Sequence, residues 1–260
     1  YEIASCLVGS EMCIRDSSLT GNPAMARLAR LTIPGLPHHI LQSGAGVPVF
    51  RSDDDCLFYI ECLQRCARES GVALYAYLLL PESVRLIASP RSVSSLSIFM
   101  RRLSRRYAVW YNRAHSHTGP VWQGRFHSSV LEPASLQKLT LYMEGLPVRE
   151  GFVKRPEQYV WSSYAHHAGF RTDPFLTEPD AGDESRALRD AACRAYRELF
   201  NMESLQPFGE EAEWKTRRGW PIGSAPFVDS LPVSEERKRA ARGRGRPRRE
   251  GIKADGNRNL

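Results

Sequence analysis

No hydrophobic run in this 260-residue chain approaches the roughly 18 residues that a membrane-crossing helix needs, so hydropathy gives no span and the expected location is the cytoplasm. Cysteine offers no framework either. The chain has six, of which Cys6 and Cys13 fall in an atypical leading segment, and Cys56, Cys62, Cys66 and Cys193 lack the close paired spacing of a zinc site. Three of them recur at helical intervals, which suits buried thiols in a reducing compartment, and disulfides are not expected. Acidic residues are in deficit: 29 Asp and Glu face 36 Lys and Arg, a net charge of +7, which fits a nucleic-acid partner.

The first 24 residues lack both the basic start and the apolar stretch of a signal peptide. Leu7 to Ser17 resembles a translated frame of a sequencing-library adapter, and the natural chain is expected from Met25. The other end lacks apolar residues. From Ser234 to Leu260, eight Arg and two Lys face four acidic residues, a net of +6 in a segment that cannot bury enough surface to fold alone. Within it, Arg242-Gly-Arg-Gly-Arg-Pro-Arg-Arg249 looks like an AT-hook: Gly and Pro keep the backbone narrow, so Arg244, Arg246 and Arg248 can reach the minor groove of A/T-rich duplex.

Between these ends the pattern is regular. Residues 36–42 read as a first strand, closed by Ser43-Gly-Ala-Gly46. Ser52 and Asp53 to Asp55 open a helix that would carry Leu57, Phe58, Ile60, Leu63 and Ala67 to the core until Gly71. Strands at 72–80 and 84–89 turn through Pro81-Glu82. A helix over 93–114 shows Leu96, Phe99, Met100, Leu103, Tyr107 and Trp110 on one face, and a fourth strand is read over 121–131. A third helix, 134–144, is opened by Pro133 and closed by Gly145 and Pro147. The fold is therefore α+β: a ferredoxin-like or RRM-like βαββαβ antiparallel sheet with helices on one face, plus a C-terminal helical extension and a basic tail. The extension, 171–233, is Pro-rich with one helix near 184–200, whose Leu188, Ala192, Tyr196 and Leu199 share a side.

The stretch Ala76 to Ile87 frames a missing site. Residues 83 and 85 are two apart, so on a strand both project from one face, where two imidazoles would grip a divalent cation. The pair here is Ser83 and Arg85, a hydroxyl beside a guanidinium that stays protonated. Together with Trp122-Gln-Gly-Arg-Phe126, Tyr142-Met143 followed by Pro147-Val-Arg-Glu-Gly151, and Trp161-Ser-Ser-Tyr164, this stretch resembles the REP-associated tyrosine transposases, IS200-like members of the HUH superfamily, over residues 38 to 170. Residues 25–170 are thereby a transposase-like domain. The family pattern has Asn-His-hydrophobic-His where this chain has Glu82-Ser-Val-Arg85.

The resemblance implies the same sheet, DNA as partner, homodimerisation, and Tyr142 at the position of a nucleophile that forms a phosphotyrosine in DNA transposition and recombination. An ordinary phenol titrates near 10, so attack needs a cation to stabilise the anion. The family's third metal-ligand position falls on Leu146, which has no donor atom. His38 and His39 supply at most one approaching imidazole, and one ligand does not hold a catalytic ion. The expectation is a DNA-binding protein of hairpin or single-stranded DNA, with no cofactor, no metal and no metal-dependent nuclease activity. An active tyrosine transposase using Mg or Mn, and a decayed remnant, are the alternatives; RNA is open because this sheet type serves both polymers. Arg85 could hold a phosphate where the cation would sit. Arg101, Arg102, Arg105 and Arg106 lack acidic partners at i±4 and are expected to meet phosphate, with Trp122, Arg125 and Phe126 adding stacking and a further contact.

Overall fold

A computed structural model of the protein describes residues 30–177, 186–200 and 202–234. The adapter-like segment and the AT-hook-like tail lie outside them.

Four strands, β1 (His38–Ser43), β2 (Val72–Leu80), β3 (Ser83–Pro90) and β4 (His127–Val130), form one antiparallel sheet in the order β2-β3-β1-β4. Helices α1 (Asp53–Ser70) and α2 (Ser95–Ala114) connect them, which gives the expected βαββαβ unit with its two helices on one face. Chain alternation builds the two sides. Leu74, Tyr77 and Leu79 of β2 and Val84, Leu86 and Ala88 of β3 meet α1 and α2, whereas Ala76, Leu78, Leu80 and Ile87 point the other way. Every strand residue at the sheet centre is thus buried on one side or the other, as a sheet covered on both faces requires.

α1 starts where its sequence says. Asp55 takes the backbone N–H of Ser52 at 2.9 Å, three acidic residues occupy the first turn, and Gly71 ends the helix at φ 62°. Its buried stripe is Cys56, Tyr59, Cys62, Leu63, Cys66 and Ala67; Leu63 and Ala67 fall as expected, Phe58 and Ile60 pack half-buried against it, and Leu57 is 57% exposed instead. The three thiols are buried, as their helical spacing suggests. On α2 the stripe falls as read, Leu96, Phe99, Met100, Leu103 and Tyr107, with Trp110 stacked on Phe58 at 4.5 Å.

Two boundaries differ from the sequence reading. β4 is only four residues long because its pairing with β1 is interrupted: Trp122 still bridges Gly44 antiparallel, with Ala45 donating to the Val121 carbonyl and Gln123 to that of Ser43, but Gly124 turns the chain at φ 70° before His127. The third helix, α3 (Leu136–Arg149), continues through Gly145 and Pro147, since both are buried and packing outweighs the breakers.

α3 lies on the second face beside helix α6 (Met202–Arg218), and together they close it over β1, β2 and β4. A four-residue helix α4 (Tyr164–His167), a helix α5 (Arg186–Glu198) and a short α7 (Ala225–Ser230) complete the described chain. Of the stripe expected here, Tyr196 is buried as read and Ala192 and Leu199 are exposed, while the side chain of Leu188 lies outside the described residues. Both sheet edges are occupied. Leu79 donates to Trp161 and Thr177 to Leu74 along β2; Ile222 donates to Val130 beside β4. Among the described residues no helix is long and apolar enough to cross a membrane.

Candidate nucleic-acid interface and the closed sheet face

Ser83 and Arg85 do share a face of β3, but they are bonded to each other and to the C-terminal region. Arg85 donates through one terminal nitrogen to Ser83 Oγ at 3.0 Å and through Nε to Glu213 Oε1 of α6, also at 3.0 Å. Both charged side chains are largely buried, with exposures of 10% and 15%, so the ion pair is weakly screened and each charge depends on the other. Leu146 packs in the apolar cluster on the same side. An arginine held by a carboxylate is not a site left for phosphate: Arg85 can serve as one only if Glu213 is displaced.

Tyr142 sits in the same place and is 2% exposed. The backbone of α6 runs directly over its ring, for a Cβ at Gly209 would collide with ring carbons. On another side Arg149 places its guanidinium 4.3 Å from the ring centroid. Burial raises the phenol's pKa and the nearby Glu213 raises it further; Arg149 and Arg85 oppose without reversing the sign. The hydroxyl is thus more firmly protonated than a free phenol. That is the reverse of what a nucleophile needs.

His39 faces this side too. Its Nδ1 lies 2.8 Å from Thr216 Oγ1, whose own proton goes to the Ala212 carbonyl, so the ring proton belongs on Nδ1. Nε2 has no hydrogen-bond partner among the described residues. Burial, with Arg85 and Arg217 nearby, lowers its pKa to about 3. His38 points to the other face, bonded to Leu36 O and to the Ile33 N–H, and burial takes it down to about 4. Among the described residues, no three His, Cys, Asp or Glu side chains are grouped so as to hold a metal ion. A hydroxyl, a paired guanidinium and a leucine do not fit a divalent cation, and no step is derived through one.

The arginines of α2 divide by helical position. Arg102 and Arg106 turn towards α1, where Glu69 lies 3.7 Å and 3.9 Å away, and Arg106 also reaches Cys66 Sγ. Their acidic partner was invisible at i±4 because it comes from the neighbouring helix. Arg101 and Arg105 turn the other way and have no carboxylate partner among the described residues. They line a groove of about 630 Å³ between α2 and residues 119–126, whose far wall carries the equally unpaired Arg125. Trp122 is 8% exposed and donates from its indole to Ser104 O, so it is a floor of the groove and not a free surface ring. Arg30 stacks on Phe126 at 3.8 Å and closes one end. Like charges gathered without counter-charges beside an apolar floor fit an anionic polymer with flat apolar faces.

A third cluster went unread in the sequence. Glu144 of α3 is fully buried and accepts from Ser163 Oγ at 2.5 Å, from the Tyr196 hydroxyl at 2.6 Å, and lies 2.7 Å from His167 Nδ1. It ties α3, α4 and α5 together. No local spacing signals it, since its partners come from 19 to 52 residues away.

Among solved structures, the chain is similar to a REP-associated tyrosine transposase bound to a REP hairpin, at 18% identity over 62% of this chain and 96% of that one, with a TM-score of 0.47. It is also similar to a candidate transposase from Deinococcus radiodurans R1, at 17% identity over 46% of this chain and 97% of that one, with a TM-score of 0.33. No protein-family model and no curated protein matches.

Proposed function

We propose that this chain is a DNA-binding protein of the tyrosine-transposase type, recognising hairpin or single-stranded DNA, and that it does not cut DNA by the metal-dependent route. The observation that carries the reading is the groove rimmed by Arg101, Arg105 and Arg125, three guanidiniums without carboxylate partners among the described residues, over the Trp122 floor. Guanidiniums supply phosphate contacts and the apolar wall accommodates base faces. The second half of the reading rests on Ser83, Arg85 and Leu146 as residues unable to seat a cation, and on Tyr142 held under α6 with a raised pKa. Beyond the described residues, Arg244, Arg246 and Arg248 extend the proposal as minor-groove contacts to A/T-rich duplex.

Fluorescence anisotropy with a labelled DNA hairpin tests the first half. Affinity should fall steeply as salt rises, and changing Arg101, Arg105 and Arg125 to Gln should flatten the slope of log K against log salt by about 0.7 to 0.9 for each phosphate that is no longer neutralised. Arg102→Gln and Arg106→Gln should change it far less. Binding indifferent to salt refutes the proposal. Incubation of the labelled hairpin with Mg²⁺ or Mn²⁺ tests the second half: a covalent protein–DNA adduct that disappears in Tyr142→Phe would show an active transposase instead.

A further inference from the structure

α1 and α2 lie side by side and antiparallel, and the outer surface of the pair carries two stripes of opposite charge. On α1 the outward positions include Asp54, Leu57 and Glu61; on α2 they include Arg106, Val109 and Arg113, with the same i, i+3, i+7 spacing. Folding satisfies neither stripe. Leu57 and Val109 are 57% and 58% exposed. Asp54 and Arg113 have no ion-pair partner among the described residues, and Arg106 shares the single Glu69 carboxylate with Arg102. Glu61 meets Arg65 one turn on, at 3.5 Å and with both side chains exposed, a contact that contributes little. Between the stripes lies the half-buried stack of Phe58 on Trp110, so the seam itself is apolar.

Contacts between the helices fix the register of the two stripes. Asp55 meets His115 at one end and Glu69 meets Arg102 at the other, so the exposed charges follow along the pair in the order Asp54, Arg113, Glu61, Arg106, spaced about 5 Å apart. A polyanion or an anionic membrane would suit the α2 stripe and be repelled by the α1 stripe. A second copy of the chain suits both. Turned about a twofold axis along the Phe58–Trp110 seam, it lays its α1 over this α2 and its α2 over this α1. Each Glu61 then falls between Arg106 and Arg113 of the other copy, each Arg113 falls between Asp54 and Glu61, and Leu57, Val109 and the stacked rings are covered together. Arg68 and Arg102 are exposed like charges at the far end of the pair, so the copies diverge there, as helix faces crossing at an angle do.

We propose that the outer face of α1 and α2 is a self-complementary interface through which two copies of this chain associate. Arg101 and Arg105 line the other flank of α2, so each copy keeps its arginine groove and the pair carries two. The interface does not depend on what those grooves bind.

Sedimentation velocity over a concentration series tests it. Wild-type protein should pass from one chain to two as concentration rises. Glu61→Arg and Arg113→Glu should each raise the dissociation constant roughly a hundredfold, because each sets like charges against one another twice in the dimer. Mixing the two variants should restore association as a heterodimer, in which each substituted side chain meets an opposite charge. Both positions are exposed, so circular dichroism should show both variants folded. A wild-type protein that stays single at every concentration would overturn the interface. So would variants that associate as the wild type does, or a mixture that fails to associate.

Discussion

Glu213 holds Arg85 from the far end of the chain: 128 residues separate the carboxylate on α6 from the guanidinium on β3, and their atoms meet at 3.0 Å. The pair decides what the sheet face is for. A strand position that would face a bound phosphate in an open cleft is neutralised from within, and the helix that neutralises it also covers Tyr142.

Glu213→Gln should therefore be costly. It leaves the Arg85 guanidinium buried without a counter-charge, with only a neutral amide oxygen and Ser83 Oγ to accept from it, a change expected to remove about 3 kcal/mol of stability. Urea unfolding measures it, and adding Arg85→Met should restore part of the loss. A Glu213→Gln protein as stable as wild type would show that the pair is open to water.

Gly209→Ala gives an independent probe of the same packing. The added methyl would strike the Tyr142 ring, which is wedged between α6 and Arg149. Either α6 shifts outward or the ring rotates, at an overpacking cost of about 1 to 3 kcal/mol. Hydrogen exchange should show faster opening across α6, and Tyr142→Ala in the same chain should relieve it.

The two buried histidines set an acid limit. Their folded pKa values, about 4 for His38 and about 3 for His39, lie below the ordinary 6.5, so the unfolded chain binds protons first as pH falls. Stability is full above about 6.5 and should decline by about 1.4 kcal/mol per pH unit for each histidine below it. Urea midpoints between pH 7 and 5 measure the slope, and His39→Gln should roughly halve this part of it. His167 acts with the opposite sign. Burial lowers its pKa but Glu144 more than reverses this, so its contribution is present at low pH and fades as pH rises through the raised value.

Tyr196→Phe removes one of three bonds to the buried Glu144 carboxylate and should cost about 1 to 2 kcal/mol. The loss should appear first as faster hydrogen exchange in α5, which reaches the α3 carboxylate through this hydroxyl.

The sheet and its first two helices were legible because they follow local rules: the apolar runs of β2 and β3 on either side of Pro81-Glu82, the Asp-rich start of α1, the 3.6-residue stripe of α2. The substituted positions Ser83, Arg85 and Leu146 were legible for the same reason. What the sequence hid was non-local. α6 is a second helix in the extension where one was expected, and it carries Gly209 where a tyrosine ring from α3 leaves no room for a side chain. Glu69 and Glu213 answer arginines on other elements, so counting charges at i±4 overestimated how many guanidiniums were unpaired. The contact between Trp214 and Trp220 escaped notice because the two rings meet only through the turn at Gly219.

The occupied margins of the sheet bear on how two copies could meet. With the 159–177 segment hydrogen-bonded along β2 and residue 222 paired beside β4, neither flank offers a ready strand to a second molecule. Strand-to-strand fusion into a larger sheet, and its runaway form in fibrils, would first require peeling one of these straps away. Any twofold partnership would more readily be built from helical surfaces or the charged tail.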